Sequence, residues 1–527
     1  MHLLVLFSGI SAIFVLHLHW YLMKKIFIII VAFLGCSNLY GQYKDTAFIY
    51  TYGGIQNDVC NQIKPTNDGG YIMIGTSNSF GCGNTDFYAI KVDSVGRHEW
   101  SKTYGGLENE EGFSVTQTFD KGYAFVGFTD SYGAGGYDVY LVKTDSQGNF
   151  QWQRTYGGSD WDFGYSIQQL PDSGFVICGL TYSYGLGNGN VYVIRTNKNG
   201  DTLWTRAIGD SGYYSVGNSI CVQEDSLYGI VGNKTLLNSE DTSVYFILMN
   251  DKGGVEKHIT YGGVHNYFGN SISEAIDHGF IIYGSTDSIK PGKLDEMMIR
   301  TDSTGNIMWL QDYASPGIGI GRDAVQTSDN TYISVGTNNS YGLGGYKMHM
   351  QHLDKYGYWI AGPSFGGTGN EEGNSIALAK NGNVLFAGAT SSLGYTTGLN
   401  DVYIVRLKND SIVQNYTLSL YQYKDTTPCT LGVPLQEPMI VAVKVFPNPV
   451  TSLSTILVQA GIGQEYYSYN LYDMSGKCIL QKMPLQSVAH GQYIAHIGKG
   501  SLATGVYFFV IINQIGLSVA TGKIIIE

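Results

Sequence analysis

The sequence has 527 residues, a formal charge of -12, 70 glycines, 41 tyrosines and only 14% charged residues. So acidic a chain is a poor partner for nucleic acid or anionic lipid, and it holds too many aromatic and β-branched residues for disorder. One ordinary core does not grow to this length, so the chain must be divided or repeated.

Residues 1–22 are apolar and lead into Met23-Lys24-Lys25, which opens a second apolar run from Ile26 to Gly35. Positive charge, an apolar core and then small residues form a secretory signal. Residues 1–41 are therefore read as a leader, with Met23 as a second candidate start and cleavage after Gly41. The mature chain from Gln42 is expected to carry no transmembrane span.

From there a phrase of the type Thr103-Tyr104-Gly105-Gly106 recurs, with its opening residue at Tyr52, Tyr104, Tyr156, Ile208, Tyr261, Tyr313 and Phe365, 52 or 53 residues apart. A strand-rich period of that length points to a propeller or a related array. Each copy divides into four strands. In the second copy these are Phe113 to Thr118, Tyr123 to Gly127, Asp138 to Thr144 and a strand around Trp152, joined by turns such as Asp120-Lys121-Gly122 and Asp145-Ser146-Gln147-Gly148. Gly accepts positive φ and Asp caps the turn backbone, as hairpins require. The second strand is apolar almost without alternation (Phe175-Val176-Ile177-Cys178, Phe280-Ile281-Ile282-Tyr283), so both of its faces are buried.

The ends of the array bear on its closure. The last copy lacks a Trp-containing fourth strand, and Thr46 to Tyr52 is a fourth strand with no copy of its own. If the first strand completes the last sheet, both open edges are hidden. The predicted fold is therefore all-β: a seven-bladed β-propeller over residues 42–420, a Pro-containing linker at 421–440 and a small C-terminal β-sandwich over 441–527. Ile412 to Leu420 is the competing candidate for the closing strand.

The tail carries Val445-Phe446-Pro447-Asn448-Pro449, then Tyr469 to Lys477 with Gly476-Lys477, then Gly505-Val506-Tyr507, then Gly522-Lys523-Ile524. In this combination and order, these phrases resemble the type A C-terminal sorting domain of type IX secretion cargo in Bacteroidetes-type bacteria. Pro447, Asn448, Pro449, Gly476, Lys477, Gly505, Tyr507 and Lys523 carry the resemblance. It implies export across the outer membrane by the type IX machinery, followed by release or attachment to the cell surface. The repeat copies resemble a secreted bacterial propeller repeat more than kelch.

In a propeller, the crossovers between blades and the loops after each second strand share one face. That face collects the variable residues, so the candidate binding residues are Asp58, Glu110, Glu111, Tyr132, Asp160, Trp161, Asp162, Tyr184, Glu371 and Glu372. Carboxylates and aromatic rings suit sugars, since rings stack on C–H faces while acids bond hydroxyls. The expected function is a secreted or surface binding protein for a glycan or protein partner. The alternative is a polysaccharide hydrolase or lyase on the same face, because paired carboxylates can act as acid and base. Solvated connectors would give the same composition.

No catalytic residue is assigned, since GxSxG, HExxH, P-loop and Rossmann signatures are missing from the sequence. His349 and His352 lie three apart on a strand and so face opposite ways. No cofactor is predicted, and calcium is left open by Asn197-Lys198-Asn199-Gly200-Asp201, which also reads as an ordinary turn. Cys60 and Cys82 flank one hairpin and are a candidate disulfide pair, whereas Cys178 reads as buried. The Trp residues at 100, 152, 204, 309 and 359 recur once per copy and read as packing between sheets.

Overall fold

The structure, a computed structural model, describes residues 48–527 apart from 187, 224–226, 240, 342–343, 380–381, 395–397, 408–418, 425–439, 447, 451, 461–466, 474–476, 490–491, 501 and 514–517. The leader, most of the linker, Pro447 and Gly476 lie outside the described residues. Every regular element among the described residues is a β-strand.

Seven repeat sheets are described. In the second, Glu110–Gln117, Tyr123–Thr129, Asp138–Thr144 and Phe150–Tyr156 pair antiparallel in chain order. The two middle strands are buried at every residue, as their unbroken apolar runs demand. Other sheets of this pattern begin at Asp58, Asp162, Tyr213, Tyr267 and Gly319. The sixth has its fourth strand split into Trp359–Ala361 and Ser364–Phe365 around Pro363, which has no N–H for the ladder. The seventh combines Glu371–Leu378, Val384–Thr390 and Asp401–Leu407 with the N-terminal strand Phe48–Gly53, antiparallel to Asp401–Leu407. Ser419–Lys424, partly overlapping the competing segment, adds outside Phe48–Gly53 in parallel.

Repeated hydrogen bonds tie each sheet to the next. Five of the seven phrases open on a tyrosine, which donates its hydroxyl to the carbonyl of a turn glycine one sheet on: Tyr104 to Gly148 (2.7 Å), Tyr156 to Gly200 (2.7 Å), Tyr261 to Gly305 (2.6 Å) and Tyr313 to Gly357 (3.0 Å). Tyr52, on the N-terminal strand, does the same to Gly96 of the first sheet. Where Ile208 replaces tyrosine, Arg206 Nε reaches the Gly253 carbonyl instead, at 3.1 Å. Trp100, Trp152 and Trp309 pack over the same turns, and a Cβ on Gly148, whose φ is +71°, would lie 2.7 Å from the Trp100 ring; Trp359, expected to pack between sheets like the others, is 61% exposed. The first glycine of the phrase is equally confined. A Cβ on Gly157 would lie 1.8 Å from Asp138 Oδ1 and 2.7 Å from Asp162 Oδ2.

The junction between the fifth and sixth sheets departs from this apolar scheme. Glu296, 1% exposed, accepts from the Tyr283 hydroxyl and from Gln351 Nε2 (2.7 Å), and Ser334 donates to Tyr283 at 3.0 Å. Burial pushes the Glu296 carboxyl up to about 7, with Asp295 adding to the shift and Tyr283 and Asn338 opposing it.

The predicted disulfide between Cys60 and Cys82 does not form. Cys60 is a free thiol on the innermost strand, packed between the first and seventh sheets and pushed up to about 12 by burial. Cys82 is in a disulfide with a different residue. Cys178 is buried, as expected.

The tail forms two four-stranded sheets. One orders Ile440–Phe446, Leu453–Ala460, Gln492–Gly498 and Gln486–Ala489; the other orders Cys478–Pro484, Tyr467–Tyr472, Gly505–Asn513 and Ser518–Ile526. Ile456, Val458, Leu471, Phe509, Ile511 and Ile524 form its core. The sorting phrases meet here: Asn448 donates to the Lys523 carbonyl at 3.2 Å and accepts from Ile525 N at 2.9 Å. Tyr507 donates to the Ala503 carbonyl at 3.0 Å.

Two outcomes follow. Tyr156→Phe should cost about 1–2 kcal/mol in chemical denaturation, because it strands a buried carbonyl; an unchanged midpoint would remove the clasp from the account of stability. Glu296 has a folded-state pKa above its unfolded one, so its contribution to stability falls as pH rises from about 4.5 to about 7 and is flat beyond. Glu296→Gln should therefore stabilise the chain by about 3 kcal/mol at pH 8 and by little at pH 4, read as the difference from the parent at each pH.

Candidate ligand site at the meeting of the first strands

The first strand of every sheet slips register by one residue against the second, between Cys60 and Gln62 and at the corresponding place in each other sheet. The residue left over is Asn61, Phe113, Tyr165, Asn218, Asn270, Arg322 or Asn374. A bulge re-aims its extra side chain. All seven extra residues line one cavity of about 400 Å³.

Four of the seven are asparagines with a shared task. Asn61, Asn218, Asn270 and Asn374 donate Nδ2 to the carbonyls of Gly112 (2.8 Å), Gly269 (2.8 Å), Gly321 (2.7 Å) and Cys60 (3.0 Å), each on the next sheet and the last running from the seventh to the first. Phe113, Tyr165 and Arg322 make no such bond. At those junctions the neighbouring position still bonds the next sheet, as Gln62 does beside Asn61: Ser114 accepts from Ile167 N, Ser166 from Ile220 N, and Asp323 from Ser375 Oγ and Ile376 N, at 3.0–3.2 Å.

The side chains released from this task are two aromatic rings and one guanidinium. Phe113 and Tyr165 meet edge to face with centroids 5.2 Å apart, and Tyr165 stacks on Phe163 at 6.1 Å. The Arg322 guanidinium has no hydrogen-bond or ion-pair partner among the described residues. It is exposed, lining the cavity, and the protein around that cavity pulls its pKa down while the Glu372 carboxylate opposes the shift. Asp323, beside it, is raised by burial, against the field of Lys64 and its bonds to the seventh sheet.

The structure separates the residues predicted from the crossovers into two groups. Asp58, Glu110, Asp162 and Glu371 are fully buried and cannot meet a ligand. They open first strands that start earlier than expected, and each holds its own junction together. Asp58 takes Gly54 N and Ser79 Oγ; Glu110 takes Gly106 N and Thr129 Oγ1; Asp162 takes Gly158 N and Ser183 Oγ, all at 2.5–2.8 Å. Glu371 pairs with Lys347 at 3.0 Å. Tyr132 and Tyr184 donate to the Gly105 and Gly157 carbonyls, 3.0 and 2.6 Å away. The accessible residues are Asp160, Trp161 (52% exposed), Tyr184, half-buried Glu111, whose carboxyl is raised by burial, and Glu372, which lines the cavity. Asn197 Oδ1 is taken by the N–H groups of Asn199 and Asp201, the bonding of an ordinary turn.

Sequence reasoning left Phe113 and Tyr165 inside a strand and counted Arg322 among the variable crossover residues without selecting it, so none of the three was a candidate binding residue. Their signal was a break in the repeat, since the sister copies read Asn218-Ser219-Ile220, Asn270-Ser271-Ile272 and Asn374-Ser375-Ile376.

Comparison with known proteins bears on the tail. Residues 444–527 match the family described as "Secretion system C-terminal sorting domain". This is a type IX sorting domain. It marks the chain as cargo of the type IX secretion machinery, secreted and in such proteins often attached to the outer cell surface. No helix among the described residues is long and apolar enough to cross a membrane. No curated protein matched the chain. Solved structures similar to it include a fungal alcohol oxidase of the AA5 family in complex with copper (12% identity, 91% of this chain and 98% of that one, TM-score 0.39). Others are Sqt1 from Chaetomium thermophilum (11%, 65% and 82%, 0.40) and the Neurospora crassa Pan2 WD40 domain (9%, 58% and 91%, 0.35). Likeness at this level carries no argument about function.

Deleting residues 444–527 should leave the protein in the periplasm; fractionation and immunoblotting check this, and continued arrival in the medium would count against sorting by the tail.

Proposed function

We propose that the seven repeat sheets are the blades of a closed seven-bladed β-propeller and that the secreted protein binds a glycan unit in the cavity at its axis. One observation supports this above the others. At three of seven equivalent bulges the asparagine that ties neighbouring sheets has given way to Phe113, Tyr165 or Arg322, side chains that face the cavity and make no hydrogen bond. Phe113 and Tyr165 replace the amide bond by an aromatic contact between their sheets, whereas Arg322 replaces it by nothing, and a local rule broken in this way is the mark of a functional position. Aromatic faces for C–H surfaces, with amides, hydroxyls and charges around them, make a lining suited to a sugar. The domain limits of 42–420 and 441–527 belong to the same proposal.

The test applies the secreted full-length protein to immobilised glycans, with calcium or chelator, while the same wells are assayed for released sugar ends. Binding without release is expected. No binding under either condition would overturn the proposal and turn attention to protein partners. Release would support polysaccharide cleavage, for which half-buried Glu111 is the candidate acid.

A further inference from the structure

Arg322 sits where four sister sheets place an asparagine, and the exchange has a definite chemical content. An asparagine there spends its donors on the neighbouring sheet. A guanidinium brings five donors in a planar fork that matches carboxylate or sulfate oxygens two at a time. Here that fork meets none of its own protein: no hydrogen bond or ion pair to Arg322 is formed among the described residues, and Glu372 stays beyond ion-pair distance. Asp323 is turned away, its Oδ2 held by Ser375 Oγ at 3.0 Å and Ile376 N at 3.1 Å. In the proposed ring, the sixth sheet stands three sheets from the second one way and three from the third the other way, which puts Arg322 across the cavity from Phe113 and Tyr165.

Resting on the glycan reading above, we propose that the cavity selects an acidic sugar residue, its carboxylate or sulfate held by the Arg322 fork and its ring face laid against Phe113 and Tyr165. The cavity, at about 400 Å³, is of the size that takes one small ligand or ligand unit. Glu372 then accepts from sugar hydroxyls, which sets the orientation of the acid group away from it. Binding of this kind weakens with salt, since an ion pair carries it.

The pattern of the repeat supplies an unusual test. Arg322→Asn restores the sister residue and should let its amide reach the Gly373 carbonyl of the seventh sheet, as Asn270 reaches Gly321. Its thermal midpoint should therefore rise, while affinity for acidic sugars falls at least tenfold. A merely structural arginine would give the opposite stability result. Arg322→Lys keeps the charge without the fork and should retain only part of the affinity.

Titrations of the full-length secreted protein and both variants use uronic-acid oligosaccharides, sulfated oligosaccharides and neutral ones of equal length. The expected result is preference for one acidic series, lost in Arg322→Asn, with neutral binding changed less than twofold. Equal binding of neutral and acidic sugars, or unchanged acidic binding in Arg322→Asn, overturns the acidic selection and leaves the glycan reading standing. Failure of the parent protein to bind any of the three series overturns both.

Discussion

The repeat depends on one contact, a tyrosine hydroxyl donated to the carbonyl of a turn glycine on the next sheet. It fixes three sequence choices together. The tyrosine must end the fourth strand, the glycine must adopt positive φ so that its carbonyl turns inward, and the tryptophan must cover the turn from outside. The double glycine after the tyrosine follows from the same approach, because carboxylates of two neighbouring sheets close on the first glycine and its successor's N–H caps one of them. Two copies depart from it: at Ile208, Arg206 reaches the turn carbonyl instead, and Phe365 has no hydroxyl to donate. The bond to the turn is kept with a tyrosine at five junctions and with an arginine at a sixth.

The four-strand pattern of the sheets and the placing of the N-terminal strand were legible because they rest on a 52-residue period and on twofold alternation, both visible in one chain. Burial of Glu110 and Asp162 was not legible. An acid next to glycine reads as a solvated loop, and only the neighbouring sheet's Gly-Gly amides reveal that it is an internal cap. The cavity lining was hidden for a related reason. The bulge inserts one residue into the alternation, so Phe113 and Tyr165 fall out of phase with the pattern used to assign faces. The Cys60–Cys82 expectation failed because nearness in a hairpin says nothing about which gap a strand residue enters.

Structure and specificity compete at the same seven positions. Each asparagine kept at a bulge strengthens the junction to its neighbour; each one replaced frees a side chain for the cavity. Four have been kept. The neighbouring serines and Asp323 carry the load at the other three, so changes to the lining need not loosen the sheets. A repeat built this way can change the lining of its cavity by altering single residues while its strands stay the same.

The N-terminal strand has a consequence for the order of events in the life of the chain. Phe48–Gly53 pairs with Asp401–Leu407, so the seventh sheet joins segments about 350 residues apart in sequence. Such long-range pairing forms slowly, since a large loop must close before any contact rewards it. Synthesis reaches Leu407 only shortly before the sorting domain at 444–527 follows. The last sheet can be completed no earlier than the moment at which the export address is nearly available. A chain truncated anywhere upstream would lack both at once, which keeps half-built repeats from carrying a valid exit signal.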